Sequence, residues 1–162
     1  MKSLLFIFLL SLFCNTSFSQ IKIDKAGDKW ELQIDSALRV IAKYDPKKRA
    51  MVDSVCKRIS VWANNISSNE LDENGNGVIL VSSGDLKLKN INDIAAVIVH
   101  ESLHLYFKKH NAVFTSEDAE EIRCYKYELD FLMCLPNPEP WLIKHAVDQI
   151  VIRENRIPKA RE

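Results

Sequence analysis

The segment His100-Glu101-Ser102-Leu103-His104 restricts what this chain can fold into more than any other. It stands inside a helical pattern in which Ile94, Val97, Ile98 and Leu105 recur at steps of one helix face, with Val99 and Tyr106 adding uncharged flanks. Residues four apart share a face, so both imidazoles can reach a single ion. Glu101 is directed beside that ion rather than at it, where a general base for a metal-activated water must stand. A helix that is apolar on both sides is a buried helix. Burying two histidines and a glutamate without partners is costly, and coordination of a divalent metal satisfies them. Zinc, which takes neutral imidazole nitrogens at roughly 2.0 to 2.1 Å, is the expected ion. The competing reading is a hydrogen-bonded histidine pair in a structural helix.

The rest of the chain reads as helices around one strand signal. Trp30, Ile34, Leu38, Ile41 and Tyr44 predict a helix over 28–44, ended by Asp45-Pro46. Met51 or Val52, Val55, Ile59, Trp62 and Ile66 continue the same stepping and predict a second helix beginning at Pro46. Val78-Ile79-Leu80-Val81 is a β-branched run of strand type, with Ile21 to Ile23 and Leu86 to Leu88 as candidate partners. The motif helix is expected from about Asn92 to Lys109, capped by Asn90 or Asn92. Another follows Thr115-Ser116 and runs to about Met133, and a last one covers Trp141 to about Glu154, leaving Lys159 to Glu162 to fray. The expected fold class is α+β, mostly helical with a small sheet.

Met1-Lys2, the apolar run from Leu4 to Phe13 and Ser17-Phe18-Ser19 have the order of a secretory signal peptide cut near Ser19. The apolar run is about half of the roughly 20 residues that span a bilayer, so no stable membrane anchor is expected. The reading is therefore 1–19 as signal peptide and 20–162 as one exported domain, periplasmic or extracellular. Lysine and arginine together number 22 against 22 acidic residues and are scattered, which gives no reason to expect a nucleic-acid partner. Three cysteines remain after position 19: Cys56, Cys124 and Cys134. Cys124 and Cys134 on one helix would lie about 15 Å apart, so any bridge must use Cys56; three buried thiols is the equal alternative.

Asp72-Glu73-Asn74-Gly75-Asn76-Gly77 imitates the start of a calcium loop, but its twelfth position is Ser83 rather than glutamate. A turn before the strand is the preferred reading.

On its motif and uncharged flanks, the segment from Gly77 to Met133 resembles the zincin metallopeptidases, at the size of the compact minigluzincins. The glycine of the metzincin extension is missing: Phe107 stands where it should fall, although His110 follows six after His104. The resemblance is instead to gluzincins, in which a carboxylate from the next helix is the third ligand. Glu117, Glu120, Glu121 and Glu128 are available, and Glu121-Ile122-Arg123-Cys124-Tyr125 fits that pattern best. Tyr125 departs from it, standing where relatives place an acidic or amide residue that orients a histidine. Glu117 and Glu120 are expected on a solvated face. The resemblance implies a zincin-like domain with zinc on His100, His104 and Glu121, Glu101 as base, and a peptide or protein substrate. It also implies that Val78 to Ser82 pairs with an extended substrate. Tyr106, Tyr125, Tyr127 and His145 are candidate donors to an oxyanion. A zinc-stabilised, non-catalytic binding or regulatory protein is the alternative.

Overall fold

A computed structural model describes residues 21–24, 28–88 and 90–157; the expected signal peptide and the C-terminal Lys159 to Glu162 lie outside the described residues. The elements in chain order are β1 (Lys22–Ile23), α1 (Asp28–Tyr44), α2 (Pro46–Val55), β2 (Cys56–Trp62), β3 (Ser68–Leu71), β4 (Gly77–Ser82), α3 (Ser83–Leu88), α4 (Ile91–Lys109), α5 (Glu117–Leu132) and α6 (Pro140–Glu154). The fold is α+β, mostly helical with one small mixed sheet.

The helix ends follow from local chemistry. Asp45 separates α1 from α2, its carboxylate accepting the Lys48 amide at 3.0 Å, and Pro46 occupies the first turn where no amide is needed. Asn90 and Asp93 form a reciprocal capping box at the start of α4. Ser116 caps α5 by accepting the Ala119 amide, and Pro140 opens α6.

The sheet order is β1-β2-β4-β3, with β1, β2 and β4 parallel and β3 antiparallel at one edge. Three expectations are corrected here. The second helix stops at Val55, and 56–62 is the strand β2. Val55, Ile59 and Trp62 step by four and three, but Val55 closes α2 while Ile59 and Trp62 lie in the strand, whose pairing with β4 shifts register between Cys56 and Arg58. Leu86 to Leu88 lies in helix α3 rather than in the sheet, while Ile21 to Ile23 does join it, beside β2 and not beside β4. The strand β4 is paired on both sides, so it has no open edge for an incoming chain; that edge belongs to β3.

Between β3 and β4 the chain turns at Gly75, whose φ of +75° is one that glycine adopts without strain. The Asp72 carboxylate accepts from the amides of Asn74 and Asn76 at 2.9 and 2.8 Å and from the Asn76 side chain, so its oxygens serve the turn.

The core gathers Ile34, Ile41, Ile59, Ile79, Ile94, Ile98, Leu105 and Phe131, all fully buried, each worth about 1.5–3 kcal/mol of burial. At Gly77 the sheet comes so close to its neighbours that an added Cβ would stand 2.2 Å from the Val55 carbonyl oxygen and 2.9 Å from Leu105 Cδ1. Leu105 follows His104 directly, so this close approach sets the height of the sheet over the motif helix.

Candidate metal centre

Two consecutive antiparallel helices build the site. His100 and His104 project from α4, one turn apart, with their Nε2 atoms 3.3 Å from each other and almost closed to solvent. From α5, Glu121 brings Oε1 to 3.3 Å from His104 Nε2 and Oε2 to 3.7 Å from His100 Nε2. Three groups able to ligate a metal therefore face one point.

The outer nitrogens are held as well. His100 Nδ1 meets Glu128 Oε2 at 2.9 Å, and His104 Nδ1 meets Glu120 Oε1 at 2.7 Å. A carboxylate on Nδ1 keeps a proton there, so Nε2 is the nitrogen that turns a lone pair toward the shared point once its own proton is lost, the arrangement that metal-binding histidines use. Glu120 is thus not the solvated residue expected of it, whereas Glu117 is exposed. The orienting carboxylate missing at Tyr125 is supplied by Glu128, one turn further on; the Tyr125 ring lies edge-on to His100 with centroids 4.5 Å apart.

Cys124 is a donor that the sequence reading treated only as a thiol. On α5 it lies between Glu120 and Glu128 at steps of four. Its Sγ and one ring nitrogen from each histidine lie within 4.8 Å of one another, and this buried group could hold a metal ion. Glu121 stands against the inward Nε2 pair, while the neighbours of Cys124 on its stripe, Glu120 and Glu128, hold the outer nitrogens. Glu121 thus meets the inward nitrogens directly. Two imidazoles and a thiol, with a carboxylate facing the imidazoles, are donors that suit a metal ion.

Electrostatics agree with the geometry. Burial opposes a charge on His100, but hydrogen bonds to Glu121 and Glu128 outweigh it and raise its pKa to about 9. For His104, burial is likewise outweighed, by Glu121 and Glu120. Burial would raise Glu121, yet its two imidazole partners hold the carboxyl well below the usual range. Burial, then the surrounding carboxylates, push the Cys124 thiol far up. Without a metal the cluster therefore retains protons that an ion must displace.

Glu101 shares α4 with the histidines and lines the same cavities, and its Oε2 accepts from Asn69 Nδ2 at 2.5 Å. Asn69 sits on the edge strand β3, and its main-chain carbonyl accepts from Lys108 Nζ at 2.9 Å. Strand β3 is thereby fastened to α4 at two points. It was not legible beforehand because Ser68-Asn69-Glu70-Leu71 is short, polar and half exposed.

The centre opens on two cavities. One, of about 460 Å³, is polar and includes Asn69, Lys108, Glu120, Glu121 and Arg153. The other, of about 410 Å³, runs between α4 and α6 and includes Val97, Tyr125, Leu142, Trp141 and His145. Of the four candidate oxyanion donors, Tyr125 and His145 therefore line the site. Tyr106 is stacked on exposed His110, and Tyr127 packs under Lys48 away from it.

Among the described residues, no helix is long and apolar enough to cross a membrane. Comparison of the chain with family models and with curated proteins finds no match to either.

Proposed function

We propose that the chain is an exported zinc-dependent hydrolase, a metallopeptidase of zincin type acting on peptide or protein substrates. The observation that carries this reading is the convergence of His100 Nε2, His104 Nε2 and the Glu121 carboxylate, with Glu101 beside them and outside the donor set. Those three residues would hold the ion. When bound, it supplies a Lewis acid that brings the pKa of water toward neutrality. Asn69 engages one oxygen of Glu101 and leaves Oε1 for a water proton, which the carboxyl group then passes to the leaving amine. The open edge of β3 gives an extended peptide a row of main-chain groups beside the base. Export rests on the charge, apolar run and small residues of positions 1–19.

A second reading, a zinc-stabilised binding protein without turnover, draws on Cys124, because a site closed by four protein donors is structural rather than catalytic. The variant Glu101→Gln separates the two. For a peptidase, cleavage of unfolded proteins falls by about 10²–10⁴-fold while zinc content holds. Zinc-loaded parent protein that cleaves no member of a broad peptide library would overturn the peptidase reading.

A further inference from the structure

The last helix reaches back to the centre through one side chain. Arg153, near the end of α6, is only 17% exposed, and its Nη2 lies 3.5 Å from Glu121 Oε2. Its Nε is shielded from solvent without a hydrogen-bond partner, with Asp118 Oδ1 at 3.9 Å. The guanidinium lies over the Tyr125 ring at 5.0 Å, and Gln149, one turn back on α6, accepts from Nη1. Tyr125 in turn packs against His100.

This cation stands among carboxylates that already have other work. Glu120 and Glu128 are on the outer nitrogens of the histidines, and Glu101 is on Asn69. Glu121 alone extends from α5 toward the inward nitrogens, and it is the carboxylate that Arg153 approaches on the side of α6. A glutamate side chain turns about three bonds, so a single pose facing two imidazoles must be selected from many. A planar guanidinium fixed by a ring below and an amide behind is suited to selecting it.

We infer that Arg153 is a positioning residue that holds Glu121 in its ligating pose and so makes α6 part of the metal centre. The inference rests on Glu121 being a ligand. A simple staple between α5 and α6 would also use these contacts, through Asp118 in particular; it would alter stability without acting through Glu121.

The test is a double-mutant cycle on the full chain as exported, read as zinc affinity by competition with a chromophoric chelator, with melting temperature followed in parallel. Arg153→Met is expected to weaken zinc binding about 10–100-fold, the range for partners that orient a ligand. Arg153→Lys, which keeps the charge, should recover part of it. In a Glu121→Gln background the Arg153→Met change should cost little more, because the group it positions no longer ligates. If Arg153→Met does not fold, Arg153→Lys and Arg153→Gln complete the same cycle. Unchanged affinity in the arginine variants, with Glu121→Gln still weakening zinc, overturns the positioning role and leaves the ligand assignment standing. Equal losses in both backgrounds also overturn it, in favour of the staple. Should Glu121→Gln leave zinc affinity unchanged, the ligand assignment and the inference fall together.

Discussion

His100 Nδ1 and Glu128 Oε2 meet at 2.9 Å across the interface of α4 and α5, in a position closed to solvent on both sides. Glu128→Ala would leave a buried ring nitrogen without its partner, costing about 1–3 kcal/mol of stability. It would also release the ring, and zinc affinity is expected to fall about 10–100-fold. Glu128→Gln retains an acceptor oxygen and should lose less. Chelator competition and urea unfolding measure the two effects separately; an alanine variant that binds zinc as tightly as the parent would contradict this account.

The metal-free and zinc-loaded forms should respond to pH in opposite senses. His100 titrates near 6.5 when unfolded and near 9 when folded, so its contribution to metal-free stability is complete below about 6.5 and is lost as pH rises through about 9. Zinc must displace that proton, so its affinity should rise by up to about tenfold per pH unit for each proton displaced, levelling off near pH 9. Denaturant melts at pH 6, 7.5 and 9, with and without zinc, would show this divergence. Metal-free stability that increases between pH 6.5 and 9 would refute the assignment.

Gly77→Ala should be among the most damaging single changes in the chain. The new methyl group would meet the Val55 carbonyl oxygen at 2.2 Å, which is backbone and cannot turn aside. A loss of roughly 3 kcal/mol or more is expected, together with weaker zinc binding through the shifted α4. Thermal melts of the purified variant decide it, and a melting temperature within a degree of the parent would be inconsistent with the packing described.

The three cysteines after position 19 are all free thiols in the described structure, with only Cys134 exposed. Burial pushes the Cys56 thiol up to about 11, and Cys124 is pushed up further. A mature chain starting at Gln20 should therefore show one readily reacting thiol under native conditions and three in denaturant. The buried pair should react more than about 100-fold slower. Two or more fast thiols in the native protein would show that α5 or β2 opens more readily than this packing allows.

Asn69→Ala removes the one hydrogen bond that ties the proposed base to the edge strand. Turnover is expected to drop about tenfold with zinc content unchanged, since hydrogen bonds to charged groups contribute roughly 1.5–3 kcal/mol. Metal analysis beside a cleavage assay makes the distinction.

The metal centre was more legible in the sequence than the sheet that borders it. His100 and His104 announce a common face by their spacing alone, and three of the four candidate glutamates of the next helix, Glu120, Glu121 and Glu128, meet them. Glu120 was misjudged because two adjacent residues on a helix point about 100° apart, and here both directions are used, one toward Nε2 and one toward Nδ1 of the same His104 ring. Strand β2 was read as helix because Val55, Ile59 and Trp62 fall at steps of four and three, although the first closes a helix and the other two belong to a bulged strand. Asn69 and Arg153 carry no local signal at all: each matters through a partner more than thirty residues away in the chain, Glu101 and Glu121 respectively.

The two imidazoles and the glutamates that meet them come from α4 and α5, neighbours in the chain, whereas the partner of Glu101 comes from the edge strand β3. The histidine cluster is thus assembled by contacts across one pair of neighbouring helices. The setting of Glu101 depends instead on the hairpin of β3 and β4 lying against α4, so a change that loosens that hairpin would disturb the carboxylate and leave the imidazoles in place.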